Sequence, residues 1–254
     1  MQRPPVVVTR PRHEALQWVE RLRDAGLNAL ALPLIEIGPA PEPDALRRAW
    51  AELPRHAAVM FVSANAVRAF FDARPAGSAF GARAWAPGPG TREALLAAGV
   101  DPSAIDSPAD DAPQFDSENL WARVSGSVAA GQRILIVRGG GDAGSGRDWL
   151  ARQLQARNVA IDTVTAYVRA APVWSPRQRE DASRLLDDDG ATWIFSSSEA
   201  IANLAALLPG RAFSGASALV THPRIGEAAK RAGFGRVRAT AARLRDVVAA
   251  LESS

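Results

Sequence analysis

At 254 residues the chain has room for one large domain or two of ordinary size. With 47% hydrophobic and 22% charged residues it is not a disordered chain, and with no cysteine it has no disulfide framework. The formal net charge is +3, and Lys230 is the only lysine, so arginine supplies nearly all the positive charge. GC-rich codon usage accounts for that bias as simply as anion recognition does.

The chain opens with MQRPPVVVTR, which lacks the long apolar segment of a signal peptide, and no apolar run approaches the roughly 18 residues of a spanning helix. A cytoplasmic protein without membrane contact is expected. The arginines are dispersed among 27 acids, which argues against nucleic acid as a partner.

A β-branched run at 6–9 predicts the first strand. Leu16, Val19, Leu22 and Gly26 then give helical spacing and a glycine stop. Residues 27–37 read as one strand. Next come a strand at 58–63, a helix from Ala64, a short strand at 83–87, a helix from Thr91 and a loop over 107–117. Strands follow at 133–138 and 159–168, separated by a helix at 147–158. The strands at 192–197, 217–221 and 235–240 complete the series, with helices after the first two. Strands separated by helices require crossover connections, and these predict parallel sheets in an α/β fold.

The chain also repeats itself. At an offset of 134, Phe61 meets Phe195, Ser63 meets Ser197, Ala66 meets Ala200, Pro89 meets Pro223, Glu93 meets Glu227 and Gly99 meets Gly233. Near an offset of 128, Arg10 meets Arg138. Any α/β chain shows loose self-similarity, but serines after corresponding strands and a shared Pro-x-x-x-Glu-Ala pattern point to two similar halves from a duplication.

In open parallel sheets ligands bind beyond the carboxyl ends of the strands. The residues predicted there are Thr9 and Arg10, Ser63 and Asn65, and Gly88 to Thr91. In the second half they are Arg138 and Gly139, Ser196, Ser197 and Ser198, and Thr221 to Arg224, including His222. Each set lies where a helix starts, where free N–H groups and the dipole favour an anion. A single Ser or Thr there is an ordinary helix cap. Recurrence in both halves predicts two lobes that hold a large polyanion between them.

Other motifs are weaker. Gly139 to Gly144 satisfies G-x-G-x-x-G, with Asp162 beyond it, as in a dinucleotide fingerprint. The helix pattern, however, starts only at Arg147, and the matching loop of the first half has no glycine, so a plain glycine loop is the better reading. His13, His56 and His222 are far apart and make a poor metal set. No G-x-S-x-G elbow supports a Ser-His-Asp triad. Tyr167 is the only tyrosine, and a packed strand ring with a solvated hydroxyl is its plain reading.

Taken together the motifs resemble the uroporphyrinogen-III synthase family along essentially the whole chain. They are Val8-Thr9-Arg10-Pro11, Pro33-Leu34-Ile35-Glu36, Val62-Ser63 with Ala66-Val67, and Gly88 with Thr91, Ala94 and Leu95. Arg138-Gly139 with Gly146-Arg147 and Leu150, Tyr167 before Arg169, and Ser196-Ser197 complete the set. Val62 departs from the family's threonine, the 139–146 loop is long, and Asn158 stands where a glycine often closes the helix.

The resemblance implies closure of the linear tetrapyrrole hydroxymethylbilane to uroporphyrinogen III, with inversion of the last ring and loss of water. It implies no cofactor and no metal, and a monomer is the working expectation. It implies two three-layer α/β/α domains whose first βαβ units are exchanged. One domain would hold 1–37 and 173–254, the other 38–172, with linker strands near 35–38 and 167–171. A substrate with eight carboxylates suits the hydroxyls, amides and arginines at the strand ends. The pyrrole nitrogen activates the departing hydroxyl, so positioning should supply most of the catalysis. Tyr167, a phenol that stays neutral, is the expected catalytic donor.

Overall fold

The computed structural model describes residues 3–109, 112, 114–140, 146–188 and 190–253. Backbone contacts divide the chain into two compact units, one of residues 1–36 with 170–254 and the other of 37–169.

The first unit is built on β1 (Pro5–Val8), β2 (Asn28–Ala31), β9 (Thr192–Phe195), β10 (Ser217–Val220) and β11 (Arg236–Ala239), in the order β11-β10-β9-β1-β2. Every pairing is parallel; β1 lies beside β9 with Val6 opposite Thr192 and Val8 opposite Ile194. The side chains alternate across this sheet, as strand geometry requires. Val7, Trp193 and Phe195 pack on one face with residues of α7 (Pro176–Asp187), α8 (Ser198–Leu207) and α9 (Pro223–Ala232). Val6, Val8 and Ile194 pack on the other with α1 (Arg12–Asp24) and α10 (Leu244–Glu252).

The second unit holds β3 (Glu36–Gly38), β4 (Ala58–Phe61), β5 (Arg83–Trp85), β6 (Ile105–Asp106), β7 (Arg133–Gly140) and β8 (Ala160–Ala170), in the order β3-β8-β7-β4-β5-β6. The pairings from β8 through β6 are parallel. Val59, Phe61, Leu135 and Val137 face α2 (Pro43–Glu52), α3 (Ala64–Asp72) and α4 (Pro89–Ala97). Ala58, Met60, Ile134 and Ile136 face α5 (Ser117–Val124) and α6 (Gly146–Gln155). Both faces of each sheet are therefore covered by helices, which is why its strands read as continuous apolar runs.

The two sheets share one plan. β6-β5-β4-β7-β8 in one corresponds to β11-β10-β9-β1-β2 in the other. The positions that β7, α6 and β8 fill in the second unit are filled in the first by β1, α1 and β2 from the opposite end of the chain. The paired glycines of the repeat keep one job. Gly99 (φ 82°) and Gly233 (φ 94°) adopt the left-handed conformation just past α4 and α9. Asn158 takes that conformation after α6 with φ 57°, which asparagine tolerates.

The reading of 27–37 as one strand is corrected. It breaks into β2 and β3, with Leu32, Leu34 and Ile35 buried between them. The chain leaves the first sheet gradually, since Leu32 N–H donates to Val8 C=O and Leu34 N–H to Thr9 C=O. Pro33 lacks an N–H and cannot extend the ladder.

Candidate functional site

The expected site residues all lie at or just past the carboxyl ends of the parallel strands. Local chemistry accounts for several of them. Ser63 caps α3, its Oγ accepting from Ala66 N–H at 3.2 Å. Ser197 caps α8 by accepting from Glu199 N–H at 3.2 Å. His222 caps α9, its Nδ1 accepting from Arg224 N–H at 3.1 Å. Gly88 precedes α4, a helix opened by Pro89, and Thr91 is buried in its first turn. In each unit the starts of such helices line one edge of a sheet, so their N–H groups and dipoles converge there on the same charge preference.

The other positions differ in contacts and exposure. Arg10 donates to Glu14 at 3.2 Å, and its guanidinium lies 4.0 Å from the centre of the Trp18 ring. Asn65 accepts from Arg68 at 2.8 Å. Arg138, Ser198 and Arg224 are exposed, and Ser196 is half-buried. Thr9 turns inward; it is 1% exposed and donates to Ile194 C=O at 2.7 Å, so it fastens β1 to β9.

The structure draws four residues of the second unit into one cluster. Tyr167 Oη lies 3.0 Å from Ser63 Oγ and accepts from Arg169 Nη2 at 3.0 Å. The ring is buried and packs with Phe61, Val137 and Val164, so the plain reading of a solvated hydroxyl is corrected. A β-bulge causes this. Arg138 pairs with Thr165, but Gly139 pairs with Tyr167, leaving Ala166 as the extra residue. Ala166 and Tyr167 then join the same core although they are neighbours in sequence. Gly139 makes room for the ring, because a Cβ there would lie 2.6 Å from Tyr167 Cζ. The sequence reading paired Arg169 with the tyrosine only as a motif and missed both its bond and the bulge. A glycine pair at the end of a strand was the available signal.

The dinucleotide reading loses its support. Gly139 and Gly140 belong to β7, and residues 141–145 lie outside the described residues. Asp162 sits near the start of β8, where Arg133 donates to it in a bidentate pair at 2.7–3.0 Å and His56 Nε2 lies 2.9 Å away. Burial pushes the Asp162 carboxyl up, but the bonds from Arg133 and His56 outweigh this and hold it below its usual range. Among the described residues no group of His, Asp or Glu could hold a metal ion, and no helix is long and apolar enough to cross a membrane.

Comparison with known proteins places this geometry among relatives. A family model described as uroporphyrinogen-III synthase HemD matches residues 17–249. The chain is 31% identical over 142 residues to uroporphyrinogen-III synthase of Chlorobaculum parvum, which covers 53% of this chain and 52% of that protein. It is 27% identical over 169 residues to porphyrin biosynthesis protein HemD of Ruminiclostridium josui, covering 64% of this chain and 31% of that protein. The chain thus spans about a third to a half of the length of these two relatives. Among solved structures, uroporphyrinogen-III synthetase from Helicobacter pylori aligns with a TM-score of 0.61 at 12% identity, over 99% of both chains. A mutant uroporphyrinogen III synthase from Thermus thermophilus aligns with a TM-score of 0.56 at 15% identity, over 98% of both. At such identities the likeness is one of fold.

Proposed function

Because this chain belongs to the uroporphyrinogen-III synthase family, we propose that it closes hydroxymethylbilane to uroporphyrinogen III, acting as a lyase that eliminates water. The family match along residues 17–249 carries the reading. The chemistry of the strand ends supports it. Ser63, Ser197 and His222 each start a helix at the carboxyl edge of a sheet, with Arg138 and Arg224 exposed beside such edges. N–H groups, hydroxyls and guanidinium groups in that arrangement suit a substrate rich in carboxylates.

The reaction asks little of acid–base chemistry. The C–O bond of the hydroxymethyl group breaks with electron push from the pyrrole nitrogen, and the oxygen leaves as water once it is protonated. The harder task is to hold the chain so that the substituted carbon of the last ring attacks, since direct closure gives the wrong isomer. Positioning lowers such a barrier without a strong catalytic base. The purified protein, given hydroxymethylbilane with no added nucleotide or metal, should yield the type III isomer. Product that stays type I, as from spontaneous closure, would refute the activity.

A further inference from the structure

Near the carboxyl end of β8 a guanidinium, a phenol and a serine hydroxyl lie in succession within hydrogen-bond distance. A guanidinium can only donate, so the bond from Arg169 fills one lone pair of the Tyr167 oxygen. The phenolic proton then needs an acceptor. Tyr167 is 1% exposed, and Ser63 Oγ, at 3.0 Å, is the acceptor it meets among the described residues. Ser63 Oγ also receives Ala66 N–H at 3.2 Å. Two incoming bonds fill its lone pairs, so its own O–H points away from the phenol. Ser63 is only half-buried and sits at the start of α3, where an anionic or hydroxyl oxygen is favoured.

We propose that Ser63, rather than Tyr167, presents the hydrogen-bond donor to a substrate oxygen, and that Tyr167 and Arg169 are positioning residues that act through it. This rests on the activity proposed above and names the donor within it. The order is Arg169 to Tyr167 to Ser63 to substrate. Each donated bond polarises the next O–H, so the serine is a stronger donor than an isolated hydroxyl. The β-bulge and Gly139 serve this arrangement, since together they turn the phenol toward Ser63 and make room for it. The duplicated serine, Ser197, caps its helix without a phenol behind it, because the chain has a single tyrosine. The series therefore belongs to one unit alone.

Two measurements test this. The single tyrosine makes its Raman doublet unambiguous, and that doublet reports whether the phenol donates, accepts or does both. In the wild-type protein without substrate it should show a phenol that donates and accepts. In Ser63→Ala it should shift to one that only accepts. An unchanged doublet in Ser63→Ala overturns the direction of the series, whatever the protein does with hydroxymethylbilane. In the activity assay, Ser63→Ala should lower kcat/KM roughly 10- to 100-fold, the range of a charge-assisted hydrogen bond. Tyr167→Phe should cost less, and should add nothing in the Ser63→Ala background. A loss carried in KM marks a substrate carboxylate as the acceptor, and one carried in kcat marks the departing hydroxyl. Tyr167→Phe costing more than Ser63→Ala, or costing as much in its background as in the wild type, overturns the proposal.

Discussion

Asp162 joins Arg133, at the start of β7, to His56, which precedes β4, and so ties three segments together at the amino end of the sheet. His56 Nδ1 also meets Glu52 C=O at 3.1 Å, linking the cluster to the end of α2. The carboxyl is held below its ordinary value of 3.8, so its pKa in the folded protein lies below that in the unfolded chain. Its stabilising effect is therefore complete above the unfolded value and is lost as pH falls through the folded one. Asp162→Asn should unfold at lower urea than the wild type near pH 7, and by a smaller margin in acid well below the ordinary carboxyl value. A gap of the same size at both pH values would show that the charge is irrelevant. From sequence Asp162 stands out only as the acid beyond a dinucleotide-like glycine motif, since its partners lie 29 and 106 positions away. Tyr167 was conspicuous as the lone tyrosine, but its direction was hidden, because alternation along a strand does not announce a bulge.

α7 shows what a helix gains from its ends. Ser175 Oγ accepts from Gln178 N–H, and Ser175 N–H donates back to Gln178 Oε1 at 2.9 Å, closing a capping box before a proline in the first turn. Ser175→Ala should lower stability by about 0.5–2 kcal/mol. Denaturant titration would measure this. A stability loss well outside that range would mean the cap has another role. The reading from sequence passed over α7 for a physical reason. Its buried residues are Ala182 and Leu186 alone, a stripe too thin to stand out among charges. In α10 only Val247 is buried, and in α2 only Leu46 and Trp50. By contrast, helices after strong strands were legible, because α3 buries Ala64, Ala66, Val67 and Phe70. The false single strand over 27–37 has the opposite cause. Leu32, Leu34 and Ile35 are as buried as strand residues while they cross from one sheet to the next.

At the scale of the whole molecule, the duplication was readable as Phe61 with Phe195 and Ser63 with Ser197, and the two sheets repeat the same strand order. The exchange of first units was not readable from local pattern, because nothing within 1–31 specifies whether β1 pairs with β4 or β9; only the resemblance suggested it. The exchange has a thermodynamic consequence. Residues 37–169 are continuous and contain every strand of their sheet except the last residue of β8 and the first of β3. Residues 170–254 lack β1, α1 and β2, which leaves β9 with only one of its two neighbours and removes Val6, Val7, Val8, Leu22, Leu32 and Leu34 from the two cores. At about 1.5–3 kcal/mol for each buried aliphatic side chain, that loss is as large as the roughly 5–15 kcal/mol net stability of a typical domain. A fragment of residues 37–169 should therefore melt cooperatively by circular dichroism. A fragment of residues 170–254 should not, until a peptide of residues 1–36 is added and supplies the missing strands. Cooperative unfolding of 170–254 on its own would show that β1, α1 and β2 dress a sheet that is already stable, and that the exchange contributes little to the fold.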